Sequence, residues 1–377
     1  MAGKWPRRRW VRLVLSSLAR LLLGTTFLIG ALGWFAAGRF LEPRRTSPNY
    51  DVRVIEVAEG LVTLERTEES EKPGVWGLEW ERGYAQVSAL LRLERSTVVR
   101  EYRPFRGTLE AGLHVSVDRW AYPGDPETAF GMPSANVDVP SALGDFPAWY
   151  VRGSRDTWVI FVHGMNASRR EALRMLPGVV DLGFPSLVIT YRNDPGVPAS
   201  PDGMLHLGET EWQDVESAAT YALDHGAEHL VMVGFSMGGS IVAQFLERSP
   251  CAGRVEGAIL DAPALDWGST VTLVGEGRGL PAILTSTAKA IFSIRFEEDW
   301  RNLDEVDAPD WLDAPILLFH GVADDTVPIE TSDRFAVSQP DLVTYVRVPG
   351  AGHVEAWNLD LAAYGAAVQA FLVRVTK

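Results

Sequence analysis

The chain has 377 residues and a formal net charge of −14, with 46% hydrophobic residues and a single cysteine. A domain usually takes about 100 to 200 residues, so this length allows two or three compact units. The many aromatic residues exclude disorder as the main state, and the acidic balance excludes nucleic acid as a favoured partner because phosphate would be repelled. The lone Cys251 excludes an intramolecular disulfide and a thiolate zinc site.

The N-terminus has the opposite charge to the rest of the chain. Residues 1–45 contain nine Lys or Arg and one Glu, and the uncharged run 21–38 would form a helix of about 27 Å. That length is close to a bilayer core of about 30 Å, so we predict a cytoplasmic basic tail and a transmembrane anchor, with the following domains outside the cytoplasm. The alternative is a signal peptide cleaved near residues 36–38, which would make the protein secreted.

A polar linker with two prolines, residues 42–50, leads into a β-rich segment. The segments in which apolar and polar residues alternate with the period of a strand are 52–57, 61–64, 76–80 and 113–117. We therefore predict a β-rich module over residues 46–145. It contains no catalytic motif that would indicate its role.

From about residue 146, short apolar runs alternate with helical stretches. The runs that have the length and composition of strands buried on both faces are 158–162, 187–191, 230–233, 255–260, 316–319 and 343–348. This alternation predicts an α/β fold with a doubly wound, mostly parallel sheet over residues 146–377. In such sheets, active sites lie at the carboxyl ends of the strands.

One loop at a strand end carries a nucleophile motif. Gly234, Ser236 and Gly238 form a G-x-S-x-G sequence directly after the run 230–233 and directly before a predicted helix. The glycines permit the sharp strand-to-helix turn that holds the serine in a strained conformation. The helix points its N-terminal N–H groups toward developing negative charge. Ser236 is therefore the predicted nucleophile.

A nucleophilic serine needs a histidine to take its proton and a carboxylate to orient that histidine. Asp324 follows the run 316–319, and His353 follows the run that ends at residue 348. The order serine, acid, histidine is the order found in α/β-hydrolases. The adjacent Asp325 stays open as an alternative acid, because the sequence alone does not separate neighbouring carboxylates.

These motifs resemble the α/β-hydrolase superfamily over roughly residues 146–377. The similarity is greatest to the serine aminopeptidase and esterase branch, which includes monoacylglycerol and protein-depalmitoylating hydrolases, because Asp324 lies in an H-G-x-x-D-x-x-V-P loop and His353 in a G-x-G-H segment. The resemblance implies an oxyanion hole formed by the backbone amides of Met165 and Met237. It also implies a structural role for His163.

Two segments beside the predicted site leave its specificity open. Residues 191–194 read Tyr-Arg-Asn-Asp where many relatives have Tyr-Arg-Gly, so the loop flanking the site differs. An insertion at about 267–311 has an apolar stripe with helical spacing. The stripe predicts either a helix packed on the sheet or a lid that accepts an acyl chain.

The sequence therefore predicts a serine hydrolase that cleaves a carboxylic ester or thioester through an acyl-enzyme on Ser236. Its substrate would be a small or lipid-like acyl compound, and the chemistry needs neither a cofactor nor a metal. A serine peptidase of the aminopeptidase or prolyl-oligopeptidase kind is the alternative within the same fold. A non-catalytic, membrane-anchored binding scaffold is the alternative from another class, but a scaffold has no need of a nucleophile, acid, base and oxyanion loop together.

Overall fold

The computed structural model describes residues 7–44, 47–306 and 312–376. It contains a long N-terminal helix, α1 (Arg7–Leu41), a closed β-barrel, and an eight-stranded sheet flanked by helices. Parts of three predicted features lie outside the described residues: the start of the basic tail, the junction at residues 45 and 46, and the end of the insertion at 307–311.

The barrel folds from the segment with alternating apolar residues. Its six strands are β1 (Val52–Ala58), β2 (Leu61–Glu65), β3 (Trp76–Trp80), β4 (Gly83–Leu93), β5 (Thr97–Arg106) and β6 (His114–Asp118). They pair in the order β1-β2-β5-β4-β3-β6, and antiparallel pairing of β1 with β6 closes the barrel. Inward side chains such as Trp76 and Leu78 give it a core of its own.

The eight-stranded sheet forms the centre of the remaining chain. Its strands are β7 (Ala135–Ser141), β8 (Gly144–Val151), β9 (Thr157–Val162), β10 (Ser186–Val188), β11 (His229–Phe235), β12 (Val255–Asp261), β13 (Ile316–Gly321) and β14 (Val343–Val348). They lie in the order β14-β13-β12-β11-β9-β10-β8-β7, and the six strands from β14 to β10 are parallel. The β7–β8 hairpin pairs antiparallel with β10, so the boundary predicted at residue 146 falls inside this hairpin.

Helices cover both faces of this sheet. After α1 they are α2 (Pro126–Phe130), α3 (Leu176–Asp181), α4 (Trp212–Asp224), α5 (Met237–Arg248), α6 (Trp267–Gly277), α7 (Ala282–Phe296), α8 (Ile329–Ser338), α9 (Ala356–Leu359) and α10 (Leu361–Val375). Strands β9 and β13 are buried along their whole length, because each face of the sheet packs into its own core. The predicted α/β fold with a mostly parallel sheet is confirmed.

Helix α1 packs against α7 along its C-terminal half. Ala37 and Leu41 are buried there, and Arg295 of α7 donates to the Trp34 carbonyl at 3.0 Å. Within the described part of the chain, no helix has both the length and the hydropathy to span a membrane. The predicted transmembrane anchor and single-pass location were therefore wrong, since protein covers part of the apolar run that the sequence assigned to lipid. The small residues considered as a cleavage site, 36–38, lie in the same packed half.

The insertion between β12 and β13 folds into α6 and α7. A hydrogen bond joins its two ends beside the sheet: the Glu305 amide donates to the Leu265 carbonyl at 2.7 Å. Ala264 lies directly before Leu265 in the chain, and its amide donates to the carbonyl of Ser236 at 3.2 Å. The insertion therefore starts directly beside the predicted nucleophile.

Glu305 is a buried acid at the base of the insertion. Burial raises its pKa to about 8, and the negative charge of Glu247 adds to the rise. Gln244 donates a hydrogen bond to its Oε1 atom. Between about pH 4.5 and pH 8, Glu305 therefore keeps its proton in the folded chain but loses it in the unfolded chain. Its stabilising effect is therefore present below about pH 4.5 and is lost as the pH rises toward 8.

We expect Glu305→Gln to remove this pH dependence, because the neutral amide needs no proton. Relative to the wild type, the variant should gain about 1 kcal/mol of unfolding free energy for each pH unit between about 5 and 8. Urea unfolding across that range measures the difference. Glu330→Gln, at the exposed start of α8, is the control and should follow the wild type. Equal slopes for Glu305→Gln and the wild type would contradict the raised pKa.

Candidate active site

Ser236 lies between the end of β11 and the start of α5, where the sequence predicts a strand-to-helix turn. Its φ is +51°, in the left-handed region that serine rarely adopts. A Cβ on Gly238 would lie 2.2 Å from the carbonyl oxygen of Val162, and a Cβ on Gly234 would lie 2.6 Å from that of Gly238. Only glycine fits at these two positions, so the turn has the geometry that the motif requires.

His353 and Asp324 reach Ser236 from two other loops. His353 Nε2 lies 2.8 Å from Ser236 Oγ, and His353 Nδ1 lies 2.8 Å from Asp324 Oδ2. With Nδ1 protonated, the ring donates to the carboxylate and accepts from the serine hydroxyl, which is the tautomer that a general base needs. The alternative acid, Asp325, is exposed, and its carboxylate accepts from the Thr326 hydroxyl. The structure thus brings Asp324, and not its neighbour, to the histidine.

Several donors surround the Asp324 carboxylate. The amides of Thr326 and Val327 donate to its Oδ1, each at 2.8 Å, and His320 Nε2 lies 3.2 Å from its Oδ2. Burial alone would raise the pKa of Asp324, but hydrogen bonds from His320 and His353 outweigh burial and lower it well below its ordinary value. The group is therefore charged at neutral pH and can orient His353.

The loop after β9 runs close to the serine. A Cβ on Gly164 would lie 3.1 Å from the Cβ of Ser236, and Met165 follows directly. Among the residues that the structure describes, neither the Met165 amide nor the Met237 amide donates to a protein acceptor. Unpaired amides beside a nucleophile, one of them at the start of a helix, can donate to negative charge that develops on a substrate oxygen.

His163 is buried under this loop and is paired at both ring nitrogens. Its Nε2 lies 2.8 Å from Asp194 Oδ2, its Nδ1 lies 2.9 Å from the Gly164 carbonyl oxygen, and its ring stacks on Tyr191. Burial lowers the pKa of His163, but the Asp194 carboxylate offsets this effect and the net shift is upward. His163 therefore supports the loop and is not available as a base for Ser236. Asp194 belongs to the segment whose sequence departs from many relatives.

A buried ion pair connects the Met165 loop to the histidine loop. Glu171 Oε2 accepts from the Gly164 amide at 2.8 Å, and Arg174 Nη2 lies 3.6 Å from Glu171 Oε1. Arg174 Nη1 donates to the carbonyl of Val354 at 2.7 Å, directly after His353. This pair could not be recognised from the sequence, because a glutamate and an arginine three residues apart are typical of an exposed helical turn.

The barrel forms one wall of the cleft above the serine. The cleft has a volume of about 790 Å³ and is bordered by residues 116–120, at the end of β6 and just beyond it. Arg119 donates to the carbonyl of His353 at 3.1 Å. The Asn358 side chain donates to the carbonyls of Val75 and Arg119, each at 2.8 Å. The β-barrel, which contains no catalytic motif, therefore lies directly against the loop that carries His353.

The site combines a proton acceptor, a nucleophile and unpaired amide donors. Within the described residues, no group of three or more His, Cys, Asp or Glu side chains is arranged to hold a metal ion. His353 pairs with Asp324, His163 pairs with Asp194, and Glu171 pairs with Arg174. This arrangement can move a proton from a serine hydroxyl and stabilise an oxyanion.

Two family models match parts of the chain. Residues 53–118, which include most of β1 and all of β2 to β6, match a domain of unknown function, DUF8805. Residues 200–377, which contain Ser236, Asp324 and His353, match the prolyl oligopeptidase family. No curated protein matches the chain.

Solved structures of esterases and of a peptidase share the fold. An esterase of Pyrococcus furiosus matches 68% of this chain and 96% of its own, with 19% sequence identity and a TM-score of 0.55. A puromycin-hydrolyzing peptidase of Mycobacterium tuberculosis matches 86% of this chain and 53% of its own, with 17% identity and a TM-score of 0.53. At these identities the similarity establishes the fold and leaves the substrate open.

Proposed function

We propose that this chain, which is an α/β-hydrolase enzyme, cleaves carboxylic esters or thioesters through an acyl-enzyme on Ser236. The observation that carries the proposal is the pair of 2.8 Å contacts that link Ser236 to His353 and His353 to Asp324. Serine is a poor nucleophile until its proton is removed, and these contacts give that proton a short path to a base.

The reaction has two stages that use the same groups. His353 takes the proton of Ser236 as Oγ attacks the substrate carbonyl, and the amides of Met165 and Met237 donate to the resulting oxyanion. The intermediate then collapses, and the leaving alcohol or thiol takes the proton from His353 while the acyl group stays on Oγ. In the second stage a water molecule gives a proton to His353 and attacks the acyl-enzyme. The second intermediate then collapses, the acid leaves, and Ser236 Oγ takes the proton back from His353. Asp324 stabilises the imidazolium in both stages.

A fluorophosphonate probe tests whether Ser236 is the nucleophile. We expect the wild type to be labelled and Ser236→Ala to stay unlabelled, because the probe forms its covalent bond with an activated serine oxygen. Ser240→Ala is the matched control on the same helix, since the Ser240 hydroxyl is buried and donates to the Leu207 carbonyl. It should be labelled like the wild type. An unlabelled wild type, or equal labelling of Ser236→Ala, would overturn the proposal.

A serine peptidase is the second candidate, because residues 200–377 match the prolyl oligopeptidase family. The same acyl-enzyme chemistry cleaves an amide when the base protonates the leaving amine. A panel of p-nitrophenyl esters and aminoacyl p-nitroanilides separates the two activities, with each kcat/KM compared with the uncatalysed rate of that substrate. A larger acceleration for the anilides would favour the peptidase.

A further inference from the structure

An apolar cavity lies between the C-terminal half of α1 and the insertion helices α6 and α7. Its volume is about 330 Å³, and its walls include the side chains of Phe35, Phe40, Val274, Leu284, Phe292 and Trp300. A cavity needs only about 10–15 Å³ on this scale to hold one water molecule, so this cavity has room for a chain of several carbon atoms. Such walls offer water few hydrogen-bond partners, whereas a hydrocarbon chain gains free energy by entering.

The cavity adjoins the cleft that contains the proposed nucleophile. Arg278, at the end of α6, lines both the cavity and the cleft with Ser236 and His353. The insertion itself starts beside the serine, because the Ala264 amide donates to the Ser236 carbonyl. A substrate whose carbonyl carbon lies at Ser236 can therefore extend a chain past Arg278 into the cavity.

One polar group in the cavity wall has no hydrogen-bond partner. Thr285 is 7% exposed, and within the described residues its hydroxyl neither donates nor accepts a hydrogen bond. Buried polar groups in folded proteins nearly always have a hydrogen-bond partner, so this hydroxyl calls for a water molecule or ligand that completes it. A water molecule held beside Thr285 would supply this partner and leave the apolar remainder of the cavity for a hydrocarbon chain.

We infer that this cavity binds the acyl chain of the substrate, and that the enzyme prefers esters of long unbranched acids to esters of short ones. The inference rests on the proposed function, because the chain is placed relative to an acyl group on Ser236. Helix α1 supplies one wall of the cavity. The N-terminal helix is thereby part of the substrate site and helps to set chain-length preference.

The ratio of kcat/KM for p-nitrophenyl decanoate to that for p-nitrophenyl butyrate tests the inference. Ala288 on α7 lines the cavity, whereas Ala290 on the same helix is exposed. The wild-type ratio should exceed one, because each additional buried methylene strengthens binding by about fourfold. Ala288→Phe fills the cavity and should lower the ratio about tenfold or more, as should Val274→Phe on the facing helix. Ala290→Phe should keep the wild-type ratio.

Titration calorimetry with sodium decanoate and sodium butyrate measures binding without turnover and gives a second readout. Thermal unfolding establishes that each variant is folded. The wild type and Ala290→Phe should bind decanoate more tightly than butyrate, and Ala288→Phe should lose about tenfold in decanoate affinity or more. Equal ratios and equal affinities in all the proteins would overturn the cavity assignment. Intact decanoate binding in a wild type that no fluorophosphonate labels would instead overturn the proposed function and leave the cavity assignment supported.

Discussion

Asp324→Asn should lower kcat/KM for an ester substrate by about 10⁴-fold, which corresponds to about 5.5 kcal/mol of transition-state stabilisation. The amide has nearly the same shape as the carboxylate but carries no charge, so it cannot stabilise the imidazolium of His353. Its N–H₂ group would also favour the wrong tautomer of the ring. The surrounding amides and His320 all point donors at this position, so an amide nitrogen fits poorly among them.

Asp325→Asn is the matched control for this substitution. It makes the same chemical change one residue away, at an exposed side chain that does not contact the histidine. Ester kinetics on both variants, with a thermal unfolding curve for each, separate loss of catalysis from loss of structure. We expect Asp325→Asn to stay within about twofold of the wild type. A large loss in this variant, with activity retained in Asp324→Asn, would assign the acid to Asp325.

Arg174→Met should lower the free energy of unfolding by about 3–5 kcal/mol. The substitution removes the only cation within salt-bridge distance of Glu171 in the described residues, and so leaves a buried charge uncompensated. It also removes the donor to the carbonyl of Val354, a β-branched residue held at a φ of +56°. Because His353 directly precedes Val354, we also expect slower ester hydrolysis in the folded fraction.

Urea unfolding measures this loss, and two further variants show its cause. Arg92→Met removes an ion pair in the barrel whose Arg92 and Glu94 side chains are 68% and 49% exposed. That change should cost less than about 1 kcal/mol. The double variant Glu171→Gln with Arg174→Met should be more stable than Arg174→Met alone, because the unpaired charge of Glu171 is then removed as well. A loss below about 1 kcal/mol in Arg174→Met would contradict the role given to the pair.

The proposed catalytic residues could be predicted from the sequence because each lies in a short local pattern. Ser236 is flanked by the two glycines of a turn that excludes side chains, and Asp324 and His353 each follow a strongly apolar run. Parallel strands bring their carboxyl ends to one edge of a sheet, so loops distant in sequence meet there. The α/β fold could be predicted because strands buried on both faces, such as β9 and β13, are short apolar runs, although the edge strand β14 is only partly buried.

The residues that support the site could not be found in this way. Asn358, Arg119 and Arg174 are polar residues without a local signature, and their roles arise only from partners far along the chain. The prediction of a transmembrane anchor in α1 was wrong for a related reason. Hydropathy reports that a helix needs an apolar partner, but it does not report whether lipid or protein provides it. The packing against α7 could therefore not be anticipated from the run itself.

The hydrogen bond from Asn358 to the Val75 carbonyl joins residues 283 positions apart and has a consequence for the order of assembly. A chain made from its N-terminus completes the barrel long before the histidine loop emerges, and contacts of such wide separation form late because the intervening residues must first be ordered. The strand-to-helix turn with Ser236 also precedes His353 by 117 residues. During synthesis, the proposed nucleophile is therefore complete before its proposed base, and we expect hydrolytic activity only after the last segment packs against the barrel.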